Sequence, residues 1–272
     1  MALLYQSIMV PMEKKLRILV ANDDGIDAPG LRALVKRLSL DHDVYVCAPD
    51  GERSSMSHAV TYWRLNNEAQ RREVPGAKEA WAVHGTPADC VFYGLSLFWK
   101  NKIDVVISGI NQGENLNADV LYSGTVGAAM EGLMLGVPSM AVSLCSFTSD
   151  DFAPTADIAA KLLPKYMQDE KRFSYVCNIN VPAIPYEKIK GIRVTQFDHF
   201  KSYTNKSIDM IHQDGRILLH CQQDPPTYPQ APLEDGDRNA VEQGYVSVTP
   251  IGTDMVTHDI LHDLYLWNDF SL

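Results

Sequence analysis

Two adjacent carboxylates, Asp23 and Asp24, follow the apolar run RILVA and precede Gly25. In a turning backbone their side chains diverge. One can bind a cation directly while the other binds from a second angle or orients a water. A hard divalent ion such as Mg2+ or Mn2+ takes oxygen ligands of this kind. Taken alone, the pair reads equally well as a turn before a helix, where Asp is a common turn former. Neutral oxygens come from Ser54 and Ser55 after a second apolar run, and from Asn111 after a third. Two carboxylates with one serine and one asparagine oxygen leave a divalent site nearly neutral, with positions open for water and a phosphate oxygen. Tyr122-Ser123-Gly124-Thr125-Val126-Gly127 opens a helix. Its free N–H groups, close-approach glycines and hydroxyls make an anion site, although by itself the segment is also an ordinary Ser/Thr cap. His58 and His84 flank the serine loop. His58 is a candidate acid toward a leaving alkoxide, against the commoner structural role of a single histidine.

Such residues are far apart in sequence, so the fold must gather them. The run Arg17–Ala21 reads as a strand buried on both faces. Pro29 then opens a helix with Leu31, Leu34, Val35 and Leu38 at helical spacing. Residues 44–48 (VYVCA) form a second buried strand, and residues 60–65 and 80–83 read as short strands or a hairpin. Thr86 is the expected cap of the next helix, with Pro87 at its first position and Asp89 in its first turn. Residues 103–108, 137–144 and 175–180 are further strands, and 125–135 and 151–166 further helices. Strands alternating with helices give parallel βαβ units and a doubly wound, mostly parallel α/β sheet, whose ligands bind at the carboxyl ends of the strands. Asn22-Asp23-Asp24, the PDGERS loop and the loop holding Asn111 all fall at such ends.

Beyond residue 182, six prolines interrupt the pattern. The runs IRVTQF, RILLH and YVSVT read there as hairpins, with a last helix over 254–267. The chain divides accordingly: an N-terminal extension (1–15), an α/β core (16–182) and a C-terminal hairpin and arm (183–272).

Composition narrows the function. The net charge is −10 over 272 residues, which disfavours a nucleic-acid platform and leaves a small anionic substrate in need of a local cation. The five cysteines have no CxxC spacing, so reduced thiols are expected rather than a zinc or disulfide framework. No stretch is long and apolar enough for a membrane span and no secretory signal is read, so the expected location is the cytoplasm. G-x-x-x-x-G-K-[ST], a strand-linked G-x-G-x-x-G and G-x-S-x-G are all missing, which removes P-loop, dinucleotide and α/β-hydrolase chemistry. Asn22 stands where a phosphatase working through an aspartyl phosphate needs its nucleophile, so water is the expected nucleophile. His258 and His262 lack the glutamate of a HExxH site and are read as surface residues.

Five segments, RILVANDDGIDAPGL, VCAPDGERSSMSHAVT, VHGTPADCV, VISGINQGENLNADVLYSGTVGAAMEG and AVEQGYVSVTPI, resemble in order the signature segments of the SurE (survival protein E) family over residues 16–255. The resemblance implies a Rossmann-like core with a C-terminal β-hairpin and arm exchanged between subunits of a homodimer or homotetramer. It also implies a phosphomonoesterase acting on 5′- and 3′-nucleotides, with polyphosphatase activity in some members. The family's metal ligands fall on Asp23, Asp24, Ser54 and Asn111, and its phosphate-contacting SGT falls on Ser123, Gly124 and Thr125. The expected cofactor is one divalent ion per subunit, Mg2+ or Mn2+. In the expected mechanism Asp23 or Asp24 orients or deprotonates a metal-activated water, while Asn111 and residues 123–125 hold phosphate oxygens. Gly236-Asp237-Arg238-Asn239 departs from the Thr-Asp pair usual in the family. A nucleotide-binding module without turnover and an oligomeric scaffold are the competing readings.

Overall fold

Strand β1 (Arg17–Ala21) sends alternate residues to opposite faces, Ile18 and Val20 into one core and Leu19 and Ala21 into another. Helix α1 (Pro29–Leu38) starts on its proline and buries Leu31, Leu34, Val35 and Leu38. Each such side chain contributes about 1.5–3 kcal/mol when taken from water. Strand β2 (Asp43–Pro49) returns parallel to β1. The hairpin β3 (Ala69–Arg72) and β4 (Ala77–Val83) leads to α2 (Pro87–Tyr93), which runs into a π-helical turn at Gly94–Phe98. Strand β5 (Val105–Gln112), a 3-10 turn at Asn117–Leu121, α3 (Gly124–Met134), β6 (Ser139–Cys145), α4 (Ala153–Gln168) and β7 (Val176–Pro182) follow. The later elements are β8 (Ile192–Val194), β9 (Ser207–Gln213), β10 (Arg216–Gln222), α5 (Asp237–Glu242) and β11 (Val246–Ile251). These elements come from a computed structural model that describes residues 14–64, 66–199, 207–213, 216–222 and 230–256.

The described strands form a nine-stranded sheet in the order β3-β4-β2-β1-β5-β6-β7-β11-β8, with β9 and β10 as a separate hairpin. From β4 to β7 the pairing is parallel; β3 and β11 run antiparallel to their neighbours β4 and β7. Helices α1 and α4 share the core on one face, while α2 and α3 cover the other. This is the expected doubly wound, mostly parallel α/β sheet. Its strand order reverses between β1 and β5, which stay parallel, and the crevice at such a switch point is where ligands bind. Among the described residues no helix is long and apolar enough to cross a membrane. Cys47, Cys90, Cys145 and Cys177 are free thiols.

Several expected elements differ. Residues 60–64 are not a strand but bends and turns, and the partner of β4 is the polar run Ala69–Arg72. The Thr61 and Tyr62 N–H groups donate to the buried Asp89 carboxylate (2.8 and 3.3 Å), which takes them out of any ladder. IRVTQF supplies the edge strand β8 and YVSVT the strand β11 that joins it to β7 in the main sheet, instead of hairpins, and only RILLH lies in one. Strand β5 extends to Gln112, so Asn111 sits on a strand end, its Cα paired with Ser143. Residues 1–13, most of the expected last helix, and His258 and His262 lie outside the described residues.

Candidate active site

The turn after β1 is closed by its own asparagine. Asn22, fully buried, donates from Nδ2 to the Gly25 carbonyl (2.9 Å) and accepts from the Gly25 N–H (3.2 Å), so Asp23 and Asp24 project from a rigid loop. The loop after β2 locks against it: the Arg53 N–H donates to the Asp23 carbonyl (2.7 Å) and the Ile26 N–H to the Pro49 carbonyl (2.9 Å). Asp50 holds the Arg53 guanidinium (2.8 Å) and His84 Nδ1 (2.8 Å), tying this loop to the end of β4.

Asp23 is buried against the start of α3. Its Oδ1 accepts from Thr125 Oγ1, and the Gly124 and Thr125 N–H groups face the same carboxylate. Ser123 caps the helix, its Oγ accepting from the Val126 N–H (3.1 Å). Gly124 makes this approach possible: a Cβ there would lie 2.8 Å from Asp23 Cβ and 3.1 Å from Pro87 Cγ. Asp24 is half-buried and lies near the backbone of Gln112, beside Asn111, and near Glu52. Ser54 Oγ donates to Glu52 (3.0 Å), leaving its lone pairs available. Asn111 donates from Nδ2 to the Gly113 carbonyl (3.0 Å), which leaves Oδ1 as an oxygen donor toward a cation.

Burial drives the Asp23 carboxyl above its ordinary range, against the donors of Thr125 and Gly124. Burial, then the neighbouring Asp23 charge, pushes Asp24 up to about 7. Among the described residues no Lys or Arg side chain forms an ion pair with either carboxylate. Two adjacent, desolvated carboxylates without a cationic side chain are an arrangement that a divalent ion stabilises. No group of three or more His, Cys, Asp or Glu suited to a metal occurs among the described residues. A cation here would rest on two carboxylates and neutral oxygens, and the hard-oxygen donor set fits Mg2+ or Mn2+.

The structure thus brings Asp23, Asp24, Gly124 and Thr125 into one cluster, with Ser54 joined through Glu52 and Asn111 through its neighbour Gln112. His58 points elsewhere. Its Nε2 is 2.8 Å from Glu131 Oε2, down α3 and away from the helix start.

Sequence reasoning passed over several supports. Asn115 donates from its N–H to Asn180 (2.8 Å) and from Nδ2 to Ser143 (2.8 Å), and its carbonyl accepts from Asn178 and Asn180 (2.9 and 3.0 Å). This buried network fixes the loop after Asn111 to β6 and β7. Asp237, fully buried, accepts from the N–H groups of Asn117 (2.7 Å), Arg238 (2.8 Å) and Asp198 (3.1 Å). It therefore braces the 3-10 turn that leads into Ser123. Glu52 had a local signal, being two residues from Ser54; Asn178, Asn180, Glu131 and Asp237 had none.

A doubly wound α/β sheet with a paired-carboxylate site at its switch point, backed by a helix start, defines a phosphate-ester-handling class of site. The match to known proteins is narrower. The family model for survival protein SurE matches residues 18–204, and the chain belongs to the SurE family. It is 40% identical to a protein named 5′-nucleotidase SurE from Symbiobacterium thermophilum over 254 residues, covering 92% of this chain and 98% of that one. It is 41% identical to the protein of the same name from Aeromonas hydrophila, covering 94% and 100%. The crystal structure of the SurE protein from Aquifex aeolicus superposes with a TM-score of 0.77 at 32% identity, covering 93% of this chain and all of that one.

Proposed function

We propose that the chain is a 5′-nucleotidase: a divalent-metal-dependent phosphomonoesterase that releases phosphate from nucleoside 5′-monophosphates, and also from 3′-monophosphates, with short polyphosphate as a side substrate. The observation that carries this reading is the Asp23–Asp24 pair, desolvated at the start of α3 and without an ion-paired Lys or Arg among the described residues. The names of the relatives point to the same substrate class.

Asp23, Asp24, Ser54 and Asn111 would hold one Mg2+ or Mn2+ per subunit. When bound, the ion supplies Lewis acidity toward a phosphoryl oxygen and toward water. The chain's own residues do the rest. Thr125 Oγ1 fixes the Asp23 carboxylate in one rotamer. The carboxylate pair orients the attacking water and takes its proton. Asn111 and the Ser123–Thr125 helix start, whose Gly124 and Thr125 also hold Asp23, would lie beside the remaining phosphoryl oxygens, where charge grows as the ester bond breaks. Arg53 and Asp50 hold the loop after β2, which carries Ser54, against the Asp23 turn.

The hairpin β9–β10 exposes Met210, Ile211, Ile217, Leu218 and Leu219, apolar surface that supports self-association of the 183–272 region as a dimer or tetramer. Its free, mostly buried thiols suit a reducing cytoplasm. The test is phosphate release from a panel of 5′- and 3′-nucleoside monophosphates and short polyphosphate with Mg2+ or Mn2+. Release from the monophosphates supports the reading. A folded, metal-replete chain that releases none of it would leave a binding module.

A further inference from the structure

Helix α3 is built of small and apolar residues except for Glu131, and that side chain is only 7% exposed. A buried carboxylate is costly unless it is bonded, and this one is bonded from a single neighbouring segment: His58 Nε2 lies 2.8 Å from its Oε2, with Tyr62 of the same segment beside it. Tyr62 is itself stacked on Phe92 of α2, ring centroids 4.0 Å apart and 11° from parallel. The segment is also drawn tight against α3. A Cβ on Gly127 would lie 2.6 Å from the Ser57 carbonyl oxygen and 3.0 Å from His58 Cα. Ser57 donates from its N–H to the Tyr122 carbonyl (2.9 Å) and from Oγ to the Leu121 carbonyl (2.6 Å), just ahead of Ser123. Ser55 and Ser57 both hold positive φ angles (59° and 55°), a conformation that persists where surrounding contacts fix it.

We propose that Glu131 is a positioning residue: by clamping His58 it fastens the loop that carries Ser54 to the helix whose start carries Ser123, Gly124 and Thr125. The cation side and the phosphate side of the site are thereby assembled as one body. The proposal rests on the metal-site reading above and deepens it. It gives His58 the work of an anchor, with its ring turned down the helix toward Glu131.

The test uses the full chain and three variants, Glu131→Ala, Glu131→Gln and His58→Phe, each checked for folding by circular dichroism. Two readouts are taken: the Mn2+ dissociation constant from the electron paramagnetic resonance of free Mn2+, and amide hydrogen exchange over residues 50–58 without metal. Glu131→Ala and His58→Phe are expected to weaken Mn2+ binding about 10- to 100-fold, the usual effect of losing an outer-shell support. Loop exchange should rise roughly tenfold or more as a hydrogen bond to a charged group is lost. Glu131→Gln keeps an acceptor oxygen for the imidazole N–H and should recover most of both. Should Glu131→Ala fail to fold, His58→Phe, at the partly exposed end of the pair, carries the test. Folded variants with wild-type exchange and wild-type Mn2+ affinity would overturn the proposal. A wild-type chain that binds no Mn2+ would overturn the metal reading and with it the cation half of the proposal, while the exchange contrast would still report whether the clamp exists.

Discussion

Replacing Gly124 with alanine tests whether the approach of α3 to Asp23 is functional. The new Cβ would stand 2.8 Å from Asp23 Cβ, 2.9 Å from Asp23 Oδ2 and 3.1 Å from Pro87 Cγ. Carbon atoms rest comfortably at about 3.5–4.0 Å, so the overlap with Asp23 Cβ is about 1 Å. No side-chain rotation relieves it, because a Cβ moves only with its backbone. Either the loop after β1 or the start of α3 must shift, and Thr125 Oγ1 then loses its alignment on Asp23. Misplacement of a reacting group by about 1 Å costs on the order of 100-fold in rate. The stability cost is smaller. Overpacking costs about 1–3 kcal/mol, offset by about 1 kcal/mol from the better helix propensity of alanine. A net loss of about 1 kcal/mol lowers the melting temperature of a chain this size by about 2–4 °C. Steady-state turnover of a nucleoside 5′-monophosphate, run beside a thermal melt, separates the two effects. The expected result is a folded protein with turnover reduced about 100-fold. Undiminished turnover in folded Gly124→Ala would refute the claim that Asp23 works from this position.

Two further outcomes follow from groups away from the carboxylate pair. Asp237→Ala strands the N–H groups of Asn117, Asp198 and Arg238; at about 1–3 kcal/mol for each buried unpaired donor, denaturant melts should show a loss of about 3 kcal/mol or more. Asp104 is held below its ordinary 3.8 chiefly by its hydrogen bonds from the Arg17 guanidinium (2.9 and 3.0 Å). A lowered carboxyl stabilises the fold above its unfolded value and loses that contribution as pH falls through the folded one. Asp104→Asn should therefore lower stability at neutral pH and flatten the acid limb of the stability curve below pH 3.8, as read by urea melts across pH.

Local signals carried much of the core and half of the site. RILVA, the proline-started α1 and the Thr86 cap were legible because each is governed by neighbours in sequence; Thr86 and Asp89 do form a reciprocal capping box. Asp23 and Asp24 were legible for the same reason, being polar residues at the end of a buried strand. Residues 60–64 misled because β-prone side chains could not reveal that Asp89, 28 positions from Thr61, would capture their N–H groups. The polar Ala69–Arg72 carries no apolar alternation, all four residues being exposed, so only its pairing with β4 makes it a strand. Strand β11 joins β7 across a long excursion of the chain, a pairing that no window of sequence contains. The Asn115–Asn178, Asp237–Asn117 and His58–Glu131 contacts span 63, 120 and 73 residues. They were invisible for that reason, although each positions a loop whose chemistry the sequence displayed.

The central claim is that Asp23 and Asp24 form a cation-dependent phosphate-releasing site. The most direct measurement is phosphate release from a nucleoside 5′-monophosphate with Mn2+, with EDTA, and with Mn2+ acting on a folded Asp23→Ala chain. The account predicts release in the first case, and nearly none in the second and third. Release that survives EDTA, or that Asp23→Ala sustains with a normal response to Mn2+, would contradict it.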